Sequence, residues 1–418
     1  MHEAIFIAAK NRGNMSIETV LNKINDIEDW QEELYIELHQ NPELSMQETE
    51  TAATITKRLQ QFGYEVEQIG GGVVGVLRNG EGPTVLYRAD IDALPVKEAT
   101  GLPYASTKTM IDRQGNEVPV MHACGHDLHI VAGLGAAALL ADSCDEWSGT
   151  YIALFQPAEE TAEGARSMVN DGLVDRIPKP DVALSQHVLT KPEAGKVGTT
   201  AGPVLSTAAS MRITVYGKGS HGSMPHLGID PIVLASSIVL RLQPIISREV
   251  NPFEMAVVTV GSIHSGTKAN IIPAEAELQL NIRAYSEQVR DQIIAAIKRV
   301  VNAECEASNA TAPAKIEVFD EYPLTNNDPE VNERVTAAMI KYLGADRVEK
   351  LDPVTASEDF SIVPTAFGVP YTYWGFGGFT PDQQVFPNHN PAFGPAMQPT
   401  LRTGTEAATV AVLSYLAK

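Results

Sequence analysis

The chain has 418 residues, 44% hydrophobic and 20% charged, and its 31 basic and 52 acidic side chains leave a formal net charge of −21. That length exceeds what one hydrophobic core serves, so two domains are expected. The negative field repels nucleic acid and anionic membranes, and no apolar run approaches the roughly 20 residues needed to cross a bilayer. Residues 1–15 read as a disordered leader, with Met15 an alternative start; the apolar stretch Ile5–Ala9 is too short for a signal-peptide core and lacks a basic flank. Cys124, Cys144 and Cys305 are too few and too odd in number for a disulfide framework, which fits a reducing cytosol.

Apolar residues at helical spacing (Val20, Ile24, Ile27, Trp30, Leu34) predict a helix over 17–40, stopped by Asn41-Pro42, and a second helix follows at about 46–62. Short apolar runs at Gly72–Leu77, Thr84–Tyr87, Gly149–Phe155 and Asp181–Ser185 predict strands. Helical patterns at about 128–141 and 163–173 separate the later ones. This alternation implies a mainly parallel sheet flanked by helices, with ligands bound at the carboxyl ends of its strands. From 205 to 320 the order changes: strand Ala208–Tyr216, helix Pro231–Glu249, strands Met255–Ile263 and Ala276–Ala284, helix Glu287–Cys305, strand Lys315–Phe319. That βαββαβ order is ferredoxin-like. A helix at 329–342, a strand at Tyr371–Trp374, a Gly- and Pro-rich loop and a helix at 400–416 resume the first pattern. The expected fold is α/β, with one domain in two pieces (16–204 and 321–418) and a second inserted at 205–320.

Residues 121–129, Met-His-Ala-Cys-Gly-His-Asp-Leu-His, hold one of three cysteines and three of ten histidines. Cys124 and His126 flank a glycine, so thiolate and imidazole converge on one point. They read as a metal pair, as a cysteine nucleophile with its base, or as a histidine-rich turn. Glu159-Glu160 follows a predicted strand; the two are either solvated loop acids or a metal ligand beside a general base. His187 closes another run and is structural or a ligand, and the same choice holds for His389 in its Pro- and Asn-rich loop. Asp90 and Asp92 end a strand as ligands or as acceptors that fix imidazole tautomers.

The segments Arg88–Pro95, His122–Asp127, Gln156–Glu160, Gly217–His226, Asn270–Pro273, Ser357–Phe360 and Asn388-His389 together resemble the dinuclear-metal aminoacylases and carboxypeptidases. The branch is that of hippurate hydrolases, indole-acetyl-amino-acid hydrolases and N-acetyldiaminopimelate deacetylases. The resemblance spans about residues 30–410. It implies that Cys124, His126, Glu160, His187 and His389 hold two divalent metal ions, Zn2+ or Mn2+, with Cys124 bridging. Glu159 is then the general base, and Asp92 orients a ligand. His221 reaches the active site of a partner subunit to stabilise the oxyanion, while Asn270 and Arg283 grip the substrate carboxylate. Ser220 replaces the family's usual second glycine in that segment. His122, His129, His226 and Asp359 line or support the site; His2, His39 and His264 read as structural or surface residues.

The implied activity is cytoplasmic hydrolysis of N-acyl-L-amino acids by a catalytic domain with an inserted lid and dimerisation domain. A small-molecule substrate and a homodimer or higher homo-oligomer are expected, with no nucleic-acid or membrane partner. A carboxypeptidase or dipeptidase is the alternative within the class. A Cys124 amidase leaves Glu160, His187 and His389 without work, and a non-catalytic acyl-amino-acid binder has no use for Glu159.

Overall fold

The computed structural model describes residues 16–418, so the expected leader and His2 lie outside it. The first predicted helix is broken into a helical turn at 16–21, a 3-10 turn at Ile24–Asp26 and α1 (Glu28–Gln40). Asn22, Asn25 and Asp26, all weak helix formers, fall where the otherwise helical pattern is interrupted. α2 (Thr49–Gln61) follows, then β1 (Glu65–Ile69), β2 (Gly72–Asn79) and β3 (Thr84–Asp90). α3 (His126–Ala141) is buried on nearly every face, as its uniformly apolar, small-residue composition requires. β4 (Gly149–Gln156), β5 (Val182–Ala194) and β6 (Val197–Thr199) complete this part.

The inserted segment carries β7 (Thr207–Tyr216), α4 (Pro231–Pro244), β8 (Ala256–Ser265), β9 (Glu275–Ala284), α5 (Glu287–Ala307) and β10 (Ala312–Tyr322). Asp230 caps α4 by accepting from the amides of Ile232 and Val233, ahead of Pro231 in its first turn. Ser286 caps α5 through the Val289 amide. The predicted helix over 231–249 ends as an α-helix at Pro244 and continues as a π turn, Ile245–Glu249. The chain then returns through α6 (Pro329–Leu343), β11 (Val348–Lys350), β12 (Tyr371–Gly377) and α7 (Met397–Leu416).

Two compact units result. One takes the chain through Val204, with Asn326–Asp352 and Asp359–Lys418; the other takes Leu205–Thr325 with Pro353–Glu358. In the first, the sheet order is β1-β2-β4-β3-β5-β12-β6-β11. Its central strands β4, β3, β5 and β12 are parallel, while β1, β2 and β6 bring antiparallel pairings toward the edges. Leu86, Tyr87, Ile152, Leu154 and Leu184 are fully or almost fully buried, as expected of strands covered on both faces. α3 packs against β3, α2 and α7. In the second unit the order is β8-β9-β7-β10, all antiparallel, which is the ferredoxin-like arrangement. Its core joins Met211, Ile213 and Val215 to Leu234, Ile238, Ile293 and Ile297. Among the described residues, no helix is long and apolar enough to cross a membrane.

Candidate metal centre

Two strand ends, the interior of a third strand and two loops bring the chemistry together within the first unit. Asp90 ends β3, Glu159 and Glu160 follow β4, and His187 lies on β5 just beyond Ser185, where the pairing with β3 stops. β5 therefore runs through His187 rather than ending before it. α3 begins at His126, two residues earlier than its periodicity predicts. Gly125 precedes it in the left-handed region (φ 79°), and a Cβ there would lie 2.4 Å from Val188 Cγ1. That glycine turns Cys124 and His126 toward one point. His389 is itself left-handed (φ 69°), and its amide donates to Ala123 O at 2.7 Å, pinning the 386–391 loop to the cysteine loop.

The histidines have their protons assigned by these contacts. His126 Nδ1 donates to Asp92, with its carbonyl O at 2.9 Å and Oδ1 at 3.1 Å. His187 Nδ1 donates to Val188 O at 2.6 Å, which leaves Nε2 facing Cys124 Sγ at 3.4 Å. His389 Nε2 lies 3.3 Å from Glu160 Oε2, and Asn388 Nδ2 donates to Cys124 Sγ at 3.5 Å. His129 uses both nitrogens: Nδ1 donates to Asp90, and Nε2 accepts from the Val188 amide at 2.8 Å. It therefore supports the site and has no lone pair left for a cation. Asp90 also takes Arg88 Nη1 at 2.8 Å. Asp359 receives Arg88 Nη2 at 3.3 Å, Gln156 Nε2 at 2.6 Å and the Ala165 amide at 3.1 Å.

Burial alone would lower His126, but Asp90 and then Asp92 outweigh it and hold the imidazole well above its usual value. Burial and the neighbouring His129 push His187 well below. Hydrogen bonds to Cys124 and Glu160 raise His389 to about 10. A cation replaces the proton in such surroundings, and two atoms call for one directly. His126 Nε2 and Glu160 Oε1 are buried, lack any hydrogen-bond partner and stand 3.9 Å apart. Unpaired buried polar atoms are costly unless something bridges them.

Among the groups whose ligand atoms lie mutually within 4.8 Å are Cys124, Glu160 and His389; His126, Glu159 and Glu160; and Asp90, His126, His129 and His187. Glu160 joins the first two, and His126 joins the second to the third. A sulfur, imidazole and carboxylate donor set suits a divalent transition metal, so the residues present fit the expected dinuclear centre.

The second unit gathers other predicted residues. The short ladder pairs Ser220 with Ile272 and His221 with Ile271, and the Gly222 amide donates to Asn270 O at 2.8 Å. Exposed His221 and exposed Asn270 are thus neighbours despite their separation in sequence. His221 Nδ1 accepts from the Ser223 amide at 3.2 Å and meets Ser223 Oγ at 2.7 Å. Arg283 Nη1 donates to Thr355 O at 2.7 Å and Ser357 Oγ at 2.9 Å, and its Nε to Asn281 Oδ1 at 3.1 Å. His226 and His264 are exposed. His122 is buried with neither ring nitrogen hydrogen-bonded, and burial lowers it to about 4.

Sequence patterning passes over several supports. Of the two alternatives for His39 the structure shows the structural one, with the ring buried, Nδ1 2.6 Å from Asp127 Oδ2 and Nε2 3.1 Å from Glu98 Oε1. Ser45 Oγ donates to Asp92 Oδ2 at 2.7 Å. Glu48 Oε1 accepts from the Ala158 amide at 2.8 Å. The available signal was charge at Asp127, an acid in a helix otherwise bound for the core, whereas the polar, largely exposed segment around Glu48 carries none.

The sequence model of Peptidase family M20/M25/M40 matches residues 86–413. A "Thermostable carboxypeptidase 2" of Saccharolobus solfataricus is 36% identical over 387 residues, covering 90% of this chain and 93% of that protein. An "N-acetyl-L-cysteine deacetylase" of Bacillus subtilis is 36% identical over 364 residues, covering 85% and 81%. A crystal structure of a Bacillus subtilis protein described as a dinuclear metal-binding peptidase of the M20 family superposes with a TM-score of 0.74 at 27% identity, covering 93% of this chain and 98% of the other.

Proposed function

Because the chain belongs to peptidase family M20/M25/M40, we propose that it is a metal-dependent amidohydrolase that cleaves N-acyl-L-amino acids into a carboxylate and a free amino acid. The observation that carries this reading is the convergence of Cys124, Glu160 and His389 in one ligand group and of His126, Glu159 and Glu160 in the next. Deacetylation of N-acetyl-L-cysteine, named for the Bacillus subtilis relative, is one instance of the chemistry.

We assign Cys124, His126, Glu160, His187 and His389 as the residues that would hold the metal ions, with Cys124 in the bridging role that the resemblance implies. When bound, two divalent ions, zinc or manganese, supply the Lewis acidity that polarises the amide carbonyl and acidifies water. Glu159 takes a proton from that water as its oxygen adds to the carbonyl carbon. As the C–N bond breaks, Glu159 returns the proton to the departing amine. Asp92 fixes the His126 tautomer so that Nε2 presents its lone pair. His221 is assigned to the oxyanion: with Nδ1 accepting from Ser223, a neutral ring carries its proton on Nε2, where a donor is required. Asn270 and Arg283 are assigned to the free carboxylate of the substrate.

We place the protein in the cytoplasm, where Cys124 stays reduced, with a small-molecule substrate and neither nucleic acid nor membrane as partner. The inserted unit serves as lid and as the surface of a homodimer or higher homo-oligomer. Support comes from β8, an edge strand with Val257 and Ile263 exposed, and from α4, with Val233 and Leu240 exposed. A carboxypeptidase activity is the second reading, favoured by the identity with the Saccharolobus protein.

The test is a screen of N-acetyl, N-benzoyl and long-chain N-acyl amino acids against dipeptides, with zinc- and manganese-loaded enzyme. Turnover of the acyl amino acids is expected, and Glu159→Gln should keep its metal while kcat falls by about 10²–10⁴. Normal turnover by that variant removes Glu159 as the base. Activity that survives chelation points instead to Cys124 as nucleophile, and no turnover with both metals loaded points to a binding protein.

A further inference from the structure

The turn before α2 reaches the centre from behind with two side chains. Ser45 Oγ holds Asp92 Oδ2 at 2.7 Å, the oxygen that also receives the Glu160 amide at 3.1 Å. Glu48 stands at the N-cap of α2, yet its side chain makes no capping hydrogen bond. It goes instead to the Ala158 amide, at 2.8 Å. Glu48 is only 5% exposed, and burial and then the charge of Asp92 push its carboxyl up to about 7. A buried acid beside a second one is expensive, and the mechanism above gives it no task.

Ala158 immediately precedes Glu159 and is left-handed, with φ 47°. Its carbonyl accepts from the amides of Glu163 at 3.2 Å and Gly164 at 3.1 Å. Ala162 is left-handed too (φ 54°), and its amide donates to Glu159 O at 2.9 Å. Gly164 makes the closure possible, since a Cβ there would lie 1.5 Å from Pro157 O. Glu159 and Glu160 thus ride between two alanines in a conformation that L-residues keep only when their surroundings impose it. The Ala158 peptide is held on its carbonyl side by the loop itself and on its N–H side by Glu48.

We propose that Glu48 is a positioning residue for Glu159: its carboxyl oxygen, by accepting the Ala158 amide, holds the left-handed turn that aims the base. This rests on the reading of Glu159 as the base. Two conservative variants separate reach from charge. Glu48→Gln keeps an acceptor oxygen at the same reach, whereas Glu48→Asp keeps the charge and withdraws the oxygen by one methylene.

In metal-loaded enzyme acting on an N-acyl amino acid, Glu48→Asp should lower kcat by about tenfold to a hundredfold, with KM within about threefold and both metals retained. Glu48→Gln should keep kcat within about threefold of wild type. Amide hydrogen exchange across residues 157–164, measured without substrate, should accelerate in the aspartate variant alone. Wild-type kcat in Glu48→Asp overturns the proposal, as does unchanged exchange, loss of metal, or a glutamine variant as slow as the aspartate one. If Glu159→Gln turns over normally, the base reading falls by itself, and exchange still decides whether Glu48 holds the loop.

Discussion

His39 ties the last turn of α1 to the first turn of α3, and its removal should be felt as a pH-dependent loss of stability. The ring lies between two carboxylates, 2.6 Å from Asp127 and 3.1 Å from Glu98, with Tyr35 and Tyr104 packed at 5.5 and 5.3 Å between ring centroids. Burial disfavours its charged form, but the hydrogen bonds to Asp127 and then Glu98 prevail and raise it from 6.5 to about 10. The helix C-terminus adds a favourable field for a cation, and the α3 N-terminus one for Asp127. The interval from 6.5 to about 10 corresponds to about 5 kcal/mol of preference for the imidazolium in the folded state. Because the folded value is the higher one, this stabilisation is complete below 6.5 and is lost as pH rises through about 10.

His39→Ala should therefore cost about 3–5 kcal/mol near pH 6.5, since it leaves Asp127 and Glu98 buried without their cation. The deficit should shrink to about 1 kcal/mol by about pH 9.5, where the wild-type ring is itself giving up its proton. Urea unfolding followed by tryptophan emission isolates the relevant unit, because Trp30, Trp147 and Trp374 all belong to the one that contains His39. A cost below about 1 kcal/mol near pH 6.5, or an equal cost at both pH values, would refute the reasoning.

Cys124→Ala should bind fewer than two metals per chain after dialysis, as measured by elemental analysis; a variant that keeps both rules out the bridging thiolate. Mixing His221→Ala with Glu159→Gln protomers should give activity that neither parent shows, because one site of the hybrid receives an intact base and an intact histidine. A mixture as inactive as its parents would remove the cross-subunit role.

The inner strands were legible because strands covered on both faces read as unbroken apolar runs, and β2, β3 and β4 begin at the residues their composition predicts. β1 was not, since Glu65-Val66-Glu67-Gln68-Ile69 is polar and largely exposed at a sheet edge. Nor was the hairpin of Thr109–Ile111 with Glu117–Pro119, where three-residue strands carry too little periodicity to register. In the site, residues at strand ends announced themselves by following apolar runs. The contacts of Glu48 with Ala158 and of His39 with Asp127 join positions 110 and 88 apart, and no local pattern encodes such pairings.

In the proposed mechanism the adjacent acids Glu159 and Glu160 take different work. Glu160 donates its amide to Asp92 at 3.1 Å, and its carboxylate meets His389 at 3.3 Å and His126 at 3.9 Å. One of its oxygens thus meets His389, and the other is buried without a hydrogen-bond partner facing His126. Glu159 follows the left-handed Ala158, is 6% exposed and offers an oxygen within 4.8 Å of the His126 and Glu160 ligand atoms. A buried carboxylate within 4.8 Å of the His126 and Glu160 ligand atoms, read as the base, can exchange a proton without itself being a metal ligand. On this reading, a substitution at Asp92 should lower metal affinity, because Asp92 holds both His126 Nδ1 and the Glu160 amide.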